Sequence, residues 1–339
     1  MLVHTLIFAL SLVVILGGSE LFTNGVEWLG ARLGIAEAAV GSLLAAVGTA
    51  LPETLIPLIA LVIGRGRSAE HSAVGIGAII GAPLMLSTVT MLVMAIAALV
   101  FRKRRGRTAL AVAGEDVRRD LAFFLPSLLA VTLIGLLDTA SAIREVAAAA
   151  LLITYAAYGA ILLRIGRDAE DRLEQGLYLE RFIAGASERP RLWAILLQLV
   201  IALAAIFLGA RGFIDQLVNL SRHAGVKAGL LSLIVSPLAT ELPEKYNSVV
   251  WIRQSKDHLA MGNITGAMVF QSCIPVALGL LFTQWRLSRV ELLACAVALG
   301  SGALLFINSG EREVGTSTLV LGGAAYVVFL VGLRVLRAF

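Results

Sequence analysis

Long apolar segments separated by short polar loops make up most of the 339-residue chain. A helix needs about 20 mostly apolar residues to cross the ~30 Å hydrocarbon core of a bilayer. Several segments exceed this minimum, which favours tilted or broken helices. The segments are Leu2–Leu29, Ala36–Ile63, Ser72–Val100, Leu121–Leu137, Ala142–Leu163, Leu192–Leu220, Ala228–Trp251, Leu259–Thr283, Val290–Ile307 and Gly315–Leu336. The pattern predicts an all-α membrane protein with about ten transmembrane helices.

Charged loops predict the orientation of these helices and the division of the chain. Lys and Arg accumulate in cytoplasmic loops. With the N-terminus outside, the cytoplasmic loops hold about 17 of the 28 Lys and Arg, and the run Arg102–Arg107 dominates this bias. Both termini are therefore predicted to be extracytoplasmic, in the plasma (inner) membrane. The charged segment 164–191 is predicted to be a cytoplasmic linker with a short amphipathic helix. It separates a first half, 1–163, from a second half, 192–339.

The composition supports a membrane class and excludes several partners. The chain is 58% hydrophobic and 15% charged, whereas soluble domains are about one quarter charged. The net charge of +5 is carried mostly by loops, so we expect no nucleic-acid partner. Cys273 and Cys295 lie in apolar segments without metal-ligand or disulfide spacing. We expect the lipid bilayer and inorganic cations as partners, no cofactor, and no oligomeric state that the sequence specifies.

Two similar motifs place a proline and a carboxylate inside apolar segments. Pro52-Glu53 and Pro243-Glu244 are separated by 191 residues, and flanking positions match at the same offset. A charge at the bilayer centre costs about 2.5–3.5 kcal/mol on insertion scales, and such residues are usually functional. Each half contains five predicted spans, an odd number, so the two repeats must have opposite orientations. Secondary transporters share this inverted-repeat plan, with their sites at the repeat interface.

Each motif offers several oxygen ligands within one helical turn. Thr49 and Glu53 are four residues apart and share a helix face. Proline lacks an N–H, so the carbonyl of Gly48 loses its helical partner and is free to bind a cation. The second motif offers the same set from Ala239, Thr240 and Glu244. Ca²⁺ takes six to eight oxygen ligands, and two carboxylates balance one divalent ion. We therefore predict a cation site with Glu53 and Glu244 as its metal-binding carboxylates.

Two further polar residues of the second half are candidate ligands. Glu241 lies three residues before Glu244 and four before Lys245, so it can either face the site or pair with Lys245. Asn263 lies in the eighth predicted span. Its side-chain carbonyl is able to bind a cation, and an interhelical hydrogen bond is the alternative.

The motifs Gly48–Glu53 and Ala239–Glu244 resemble the two α-repeat signatures of the sodium/calcium exchanger family, in the cation/Ca²⁺ exchanger superfamily. The glycine-rich stretches that begin at Gly77 and Gly262 are similar to the second part of each α-repeat. The resemblance covers most of the chain in outline. It implies an antiporter that exchanges Ca²⁺, or a related cation, for Na⁺ by alternating access. In such a protein the second and seventh spans bind the ion, while the first and sixth spans move.

The chain departs from this family pattern in the second part of each repeat. Leu86 and Gln271 stand where members typically carry Asn or Asp. Proton-coupled branches of the superfamily resemble this chain in carrying Gln there, so Gln271 is a candidate ligand. It also keeps open a proton-coupled exchanger of Ca²⁺ or Na⁺.

Two other classes of function fit the composition but not the motifs. Aspartyl intramembrane proteases need paired aspartates within their spans, whereas the aspartates here lie at span ends and in loops. No Ser/His or zinc-ligand pattern occurs within the spans either, so we do not expect an enzyme. A cation channel uses similar helices, but inverted repeats with broken helices favour alternating access.

Overall fold

The computed structural model describes residues 2–32, 51–64, 69–137, 139–165, 176–183 and 190–336. Within these ranges the chain is helical apart from turns, short connections and two isolated β-bridges. In chain order the helices are α1 (Leu2–Arg32), α2 (Leu51–Gly64), α3 (Ala69–Ser87), α4 (Val89–Val100), α5 (Arg102–Arg105), α6 (Gly114–Leu136), α7 (Ser141–Ile165), α8 (Tyr178–Ile183), α9 (Leu192–Ala224), α10 (Ala228–Thr240), α11 (Leu242–Arg253), α12 (Asp257–Phe282), α13 (Arg289–Asn308) and α14 (Thr316–Val335).

Eight of the described helical stretches are long and apolar enough to cross a membrane. They are α1, the joined α3 and α4, α6, α7, α9, α12, α13 and α14, and two shorter apolar helices, α2 and α10, accompany them. The all-α, multi-pass membrane architecture predicted from the apolar pattern is therefore confirmed. The predicted second span is described only from Leu51 onward, and its earlier part lies outside the described residues.

The seventh predicted span is divided into two helices at Glu241. α10 ends at Thr240 and α11 begins at Leu242. The second residue of α11 is Pro243, which lacks an N–H and therefore leaves one carbonyl of α10 without its helical partner. The backbone N–H of Glu241 still donates to the carbonyl of Pro237 at 3.0 Å. The interruption is therefore local.

The fourth predicted span begins earlier than the apolar pattern indicated. α6 starts at Gly114, before the predicted start at Leu121, and its first turns contain several charges. One of these charges, Asp120, is buried, and its carboxylate accepts hydrogen bonds from the hydroxyls of Tyr158 at 3.1 Å and Thr265 at 2.5 Å. Hydropathy alone predicts a loop for this polar segment. Hydrogen-bond partners from α7 and α12 stabilise it as the first part of a helix.

Two glycines allow α3 to pack directly against α10. A Cβ atom at Gly81 would lie 2.1 Å from the carbonyl oxygen of Leu233, and one at Gly77 would lie 2.3 Å from that of Gly229. Small residues four positions apart let two membrane helices approach backbone to backbone. This contact brings the end of α10 next to α3 and α2.

The basic run Arg102–Arg107, which follows α4, contributes to a buried ion pair. The Arg105 side chain is buried, and its Nη2 lies 2.5 Å from the Asp257 carboxylate, which is also buried. Arg107 and the backbone N–H of Ala111 contact the same oxygen at 3.1 and 2.9 Å. These bonds join the connection between α5 and α6 to the start of α12.

The linker is attached to the long paired helices α1 and α9. The Nε2 of Gln198 donates to the Oδ1 of Asn24 at 2.9 Å. The same Oδ1 accepts from the backbone N–H of Tyr178 at 3.1 Å, and the Oε1 of Gln198 accepts from that of Leu179 at 2.8 Å. We call these four residues the linker clasp. The short helix predicted in the linker is present as α8.

Candidate cation site

A small buried cavity lies where α2, α3 and α10 meet. Its volume is about 10 Å³, which is close to the minimum that one water molecule needs. It is lined by Pro52, Glu53, Ile56, Pro57, Ala78, Ala82, Ser236, Pro237 and Thr240. The polar side chains come from one residue of α2 and two residues of α10, and the remainder are apolar. We call this space the cation cavity.

Glu53 places its carboxylate in the first turn of α2 and is 6% exposed. Neither of its carboxylate oxygens accepts a hydrogen bond of normal geometry from the described residues, although the Thr240 hydroxyl lies nearby. Glu244 and Glu241 lie close enough to act on it electrostatically. Burial of an ionised carboxylate without a compensating partner is strongly unfavourable. The arrangement therefore calls for a cation or a proton at Glu53.

The hydroxyl groups of α10 have hydrogen-bond acceptors in α10 itself or in α3. Thr240 donates to the carbonyl of Ser236 at 3.0 Å. Ser232 donates to the carbonyl of Val74 at 2.7 Å, so in its 3.0 Å contact with the Ser236 hydroxyl, Ser232 acts as the acceptor. The hydroxyl oxygens of Ser236 and Thr240 consequently keep lone pairs that are free to bind a cation.

Ser236 was missed by the sequence analysis, although the sequence contained a signal for it. Ser232, Ser236, Thr240 and Glu244 follow one another at intervals of four residues in an otherwise apolar segment. Residues at this spacing share one helix face. A search for polar stripes, rather than for the proline–glutamate motif, would have found it.

Glu241 is paired with Lys245, one of the two arrangements that their spacing allowed. The Nζ of Lys245 donates to Glu241 Oε2 at 2.7 Å, and the two side chains are 8% and 0% exposed. The other oxygen, Oε1, is buried and has no hydrogen-bond partner in the described part of the chain. One oxygen of the Glu241 carboxylate is therefore held by the ammonium of Lys245, and the other accepts no hydrogen bond from the described residues.

The remaining candidates of the second half are all buried or partly buried. Asn263 donates to the backbone carbonyl of Glu244 and to the hydroxyl of Ser248, both at 3.3 Å, and so forms the interhelical link that was its alternative role. Gln271 is 1% exposed, and its Oε1 has no partner among the described residues. Ala239 is buried in the last turn of α10.

The first half of the predicted ligand set is only partly described. Gly48 and Thr49 lie outside the described residues, so Glu53 is its sole described member. Within the described ranges, no three His, Cys, Asp or Glu side chains come together as a metal-binding group. A cation bound here would therefore depend on hydroxyl and carbonyl oxygens as well as on carboxylates.

The chain is similar to several known proteins. A family model described as sodium/calcium exchanger protein matches residues 3–164 and 194–335. The candidate antiporter CaxA of Alkalimonas amylolytica is 26% identical over 282 residues, which cover 82% of this chain and 81% of that protein.

Two solved structures show the same fold. The crystal structure of the H⁺/Ca²⁺ exchanger CAX matches with a TM-score of 0.75 and 16% identity, covering 98% of this chain and 82% of that chain. The sodium-calcium exchanger NCX_Mj matches with a TM-score of 0.62 and 21% identity, covering 98% of this chain and 99% of that one.

Proposed function

The chain belongs to the sodium/calcium exchanger family, whose members are transporters and not enzymes, and on this premise we propose that it is a secondary active antiporter. It exchanges Ca²⁺, or a related cation, for Na⁺ by alternating access. The observation that carries the proposal is the buried Glu53 carboxylate, which faces a cavity for one ion and has no partner among the described residues.

The proposed architecture has ten spans in two inverted halves, 1–163 and 192–339, joined on the cytoplasmic side by 164–191. The eight long spans support it, together with the short apolar helices α2 and α10, each of which lies in one further predicted span. The sequence offset between Glu53 and Glu244 supports the repeat. The cation cavity, whose three polar side chains come from α2 and α10, is consistent with a binding site at the interface of the halves.

In the proposed mechanism the site replaces the water shell of a cation with protein oxygens. Glu53 and Glu244 supply the charge, Ser236 and Thr240 supply hydroxyl oxygens, and the kink before Pro243 leaves the carbonyl of Ala239 available. The paired helices α1 and α9 then move across the site and expose it to one side at a time.

Coupling to protons is the second candidate, and Gln271 favours it. Its side chain is a buried, neutral amide. Sodium-coupled members that resemble this chain carry the carboxylate of Asp at this position. A site with fewer carboxylates offers less charge to several sodium ions at once. The ion exchanged for Ca²⁺ would then be H⁺.

Reconstituted protein tests both candidates and the channel alternative. We expect radiolabelled Ca²⁺ to accumulate in proteoliposomes under an imposed Na⁺ gradient or an imposed pH gradient, and to depend on that counter-ion. A channel would instead dissipate the Ca²⁺ gradient without either counter-ion. Absence of counter-ion-dependent cation flux under both gradients would refute the proposed antiport.

Substitution of the two carboxylates tests the site. We expect Glu53→Gln and Glu244→Gln each to abolish exchange while membrane insertion is retained, because each removes a charge that the bound cation requires. Glu115→Gln is the matched control, since Glu115 is exposed in the first turn of α6. Wild-type exchange in both site variants would show that the cation binds elsewhere.

A further inference from the structure

The second proline–glutamate motif carries an ion pair that the first motif lacks. Glu241 and Lys245 correspond, at the 191-residue offset, to Ala50 and Thr54. The pair joins Nζ to Oε2 at 2.7 Å, and both side chains are buried. Placing two charges in a membrane-spanning segment is costly unless they serve a purpose. A helix kink needs only the proline, so the kink does not account for them.

Glu241, the acidic member of this pair, lies close to the cation cavity. Glu241 is close enough to act electrostatically on Glu53, and it directly follows the cavity-lining Thr240. Its Oε2 is held by Lys245, whereas its Oε1 is buried and without a hydrogen-bond partner among the described residues. Glu241 is thus a carboxylate close to the cation cavity, and the ammonium of Lys245 already balances its negative charge.

We propose that the Lys245 ammonium is a tethered cation that takes the place of one transported monovalent cation at Glu241. This inference rests on the proposed antiport and concerns its stoichiometry. The ammonium is covalently attached and cannot be released, so Glu241 adds no charge to the ions carried in each cycle. When Lys245 is removed, Glu241 becomes an additional site for a monovalent cation, and the cycle carries one more.

A purely structural ion pair leads to a different expectation. Buried pairs that serve only packing can often be replaced by apolar residues with little effect. The pair between Arg105 and Asp257 is of a structural kind, because it joins a loop to the start of α12 and is not part of the cation cavity. If the pair of Glu241 and Lys245 were similar, removing one charge would change stability but not the number of ions exchanged.

The experiment measures coupling stoichiometry in proteoliposomes whose membrane potential is set with K⁺ and valinomycin. Wild-type exchange is established first, so a failure of the proposed function is recognised before any variant is compared. The potential at which net radiolabelled Ca²⁺ flux vanishes then gives the number of Na⁺ or H⁺ per Ca²⁺. We expect Lys245→Met to raise this number by one. The double variant Glu241→Gln with Lys245→Met should return to the wild-type number.

Lys256→Met is the matched control, because Lys256 is exposed immediately before α12 and should keep the wild-type ratio. An unchanged ratio in Lys245→Met would overturn the inference. If that variant is not recovered as folded protein, Glu241→Gln takes its place. It leaves a buried ammonium without its counter-charge, directly after Glu244 in the chain, so the apparent Ca²⁺ affinity should fall by about tenfold or more. Unchanged affinity in this variant would likewise overturn it.

Discussion

The buried carboxylates of this protein differ in whether neighbouring groups satisfy them. Asp120 accepts hydrogen bonds from two hydroxyl groups, and Asp257 binds the guanidinium of Arg105. Glu291 accepts a hydrogen bond from the backbone N–H of the residue that caps the start of α13. Among the residues that the structure describes, only Glu53 has both carboxylate oxygens buried without a hydrogen-bond partner. Burial alone therefore does not distinguish Glu53 from the other buried carboxylates, whereas the missing hydrogen-bond partner does, which supports the proposal that it binds a cation.

Ser236 provides a prediction at the residue scale. Its hydroxyl oxygen lines the cation cavity, and its proton is directed to Ser232. A hydrogen-bonding group that interacts with a charge contributes about 1.5–3 kcal/mol. We therefore expect Ser236→Ala to weaken half-saturation by Ca²⁺ by roughly tenfold to hundredfold, measured from the concentration dependence of uptake.

The control for this substitution is Ser301→Ala. Ser301 is equally buried but donates to the carbonyl of Ser87, outside the cation cavity. It should leave half-saturation by Ca²⁺ near the wild-type value. Equal changes in both variants would indicate a general loss of packing rather than the loss of a cation ligand.

The sequence was sufficient to select Glu53, Glu244 and Thr240 as candidate ligands, because charge and proline inside an apolar segment demand an explanation. It was not sufficient to predict which way a hydroxyl proton points. The orientation of Ser236 depends on Ser232, whose own acceptor lies 158 residues away in the sequence. Such an orientation follows from tertiary packing and from no local pattern.

At the scale of elements, the contact between α3 and α10 determines whether the cation cavity can form. A Cβ atom at Gly81 would lie 2.1 Å from the carbonyl oxygen of Leu233, which is backbone and cannot yield easily. We expect Gly81→Val to lower the free energy of unfolding by about 1–3 kcal/mol or more and to abolish exchange. Thermal unfolding in detergent, followed by loss of the monodisperse peak, checks the first effect.

Gly300→Val is the matched control for helix packing. A Cβ atom at Gly300 would meet nothing within 4 Å, so this variant should unfold near the wild-type temperature and retain exchange. A Gly81→Val protein as stable and active as the control would mean that α3 and α10 need not approach so closely.

The apolar pattern predicted which helices form. It predicted less accurately where the helices begin and how they are connected. Proline marked the kink at Glu241 because its missing N–H is a local property. The start of α6 was placed too late, since the partners of Asp120 come from α7 and α12. Arg105 and Asp257 are 152 residues apart in the sequence, so no local pattern predicts the bond between them.

At the scale of the whole molecule, the predicted orientation can be tested with cysteine labelling. The native thiols, Cys273 and Cys295, are buried, so they give a low background. We expect a membrane-impermeant maleimide to label Gln284→Cys in intact cells, and Arg104→Cys only after permeabilisation. Both positions are exposed in the structure, at opposite ends of the long helices. The reverse pattern would place both termini in the cytoplasm.

The linker clasp has a consequence for observing the transport cycle. It attaches the backbone of Tyr178 and Leu179 to Asn24 on α1 and to Gln198 on α9. In an alternating-access cycle the bonded part of the linker would move with these two helices. A spectroscopic label on the linker, paired with one on α12, would therefore report the position of the moving helices without a label inside the membrane.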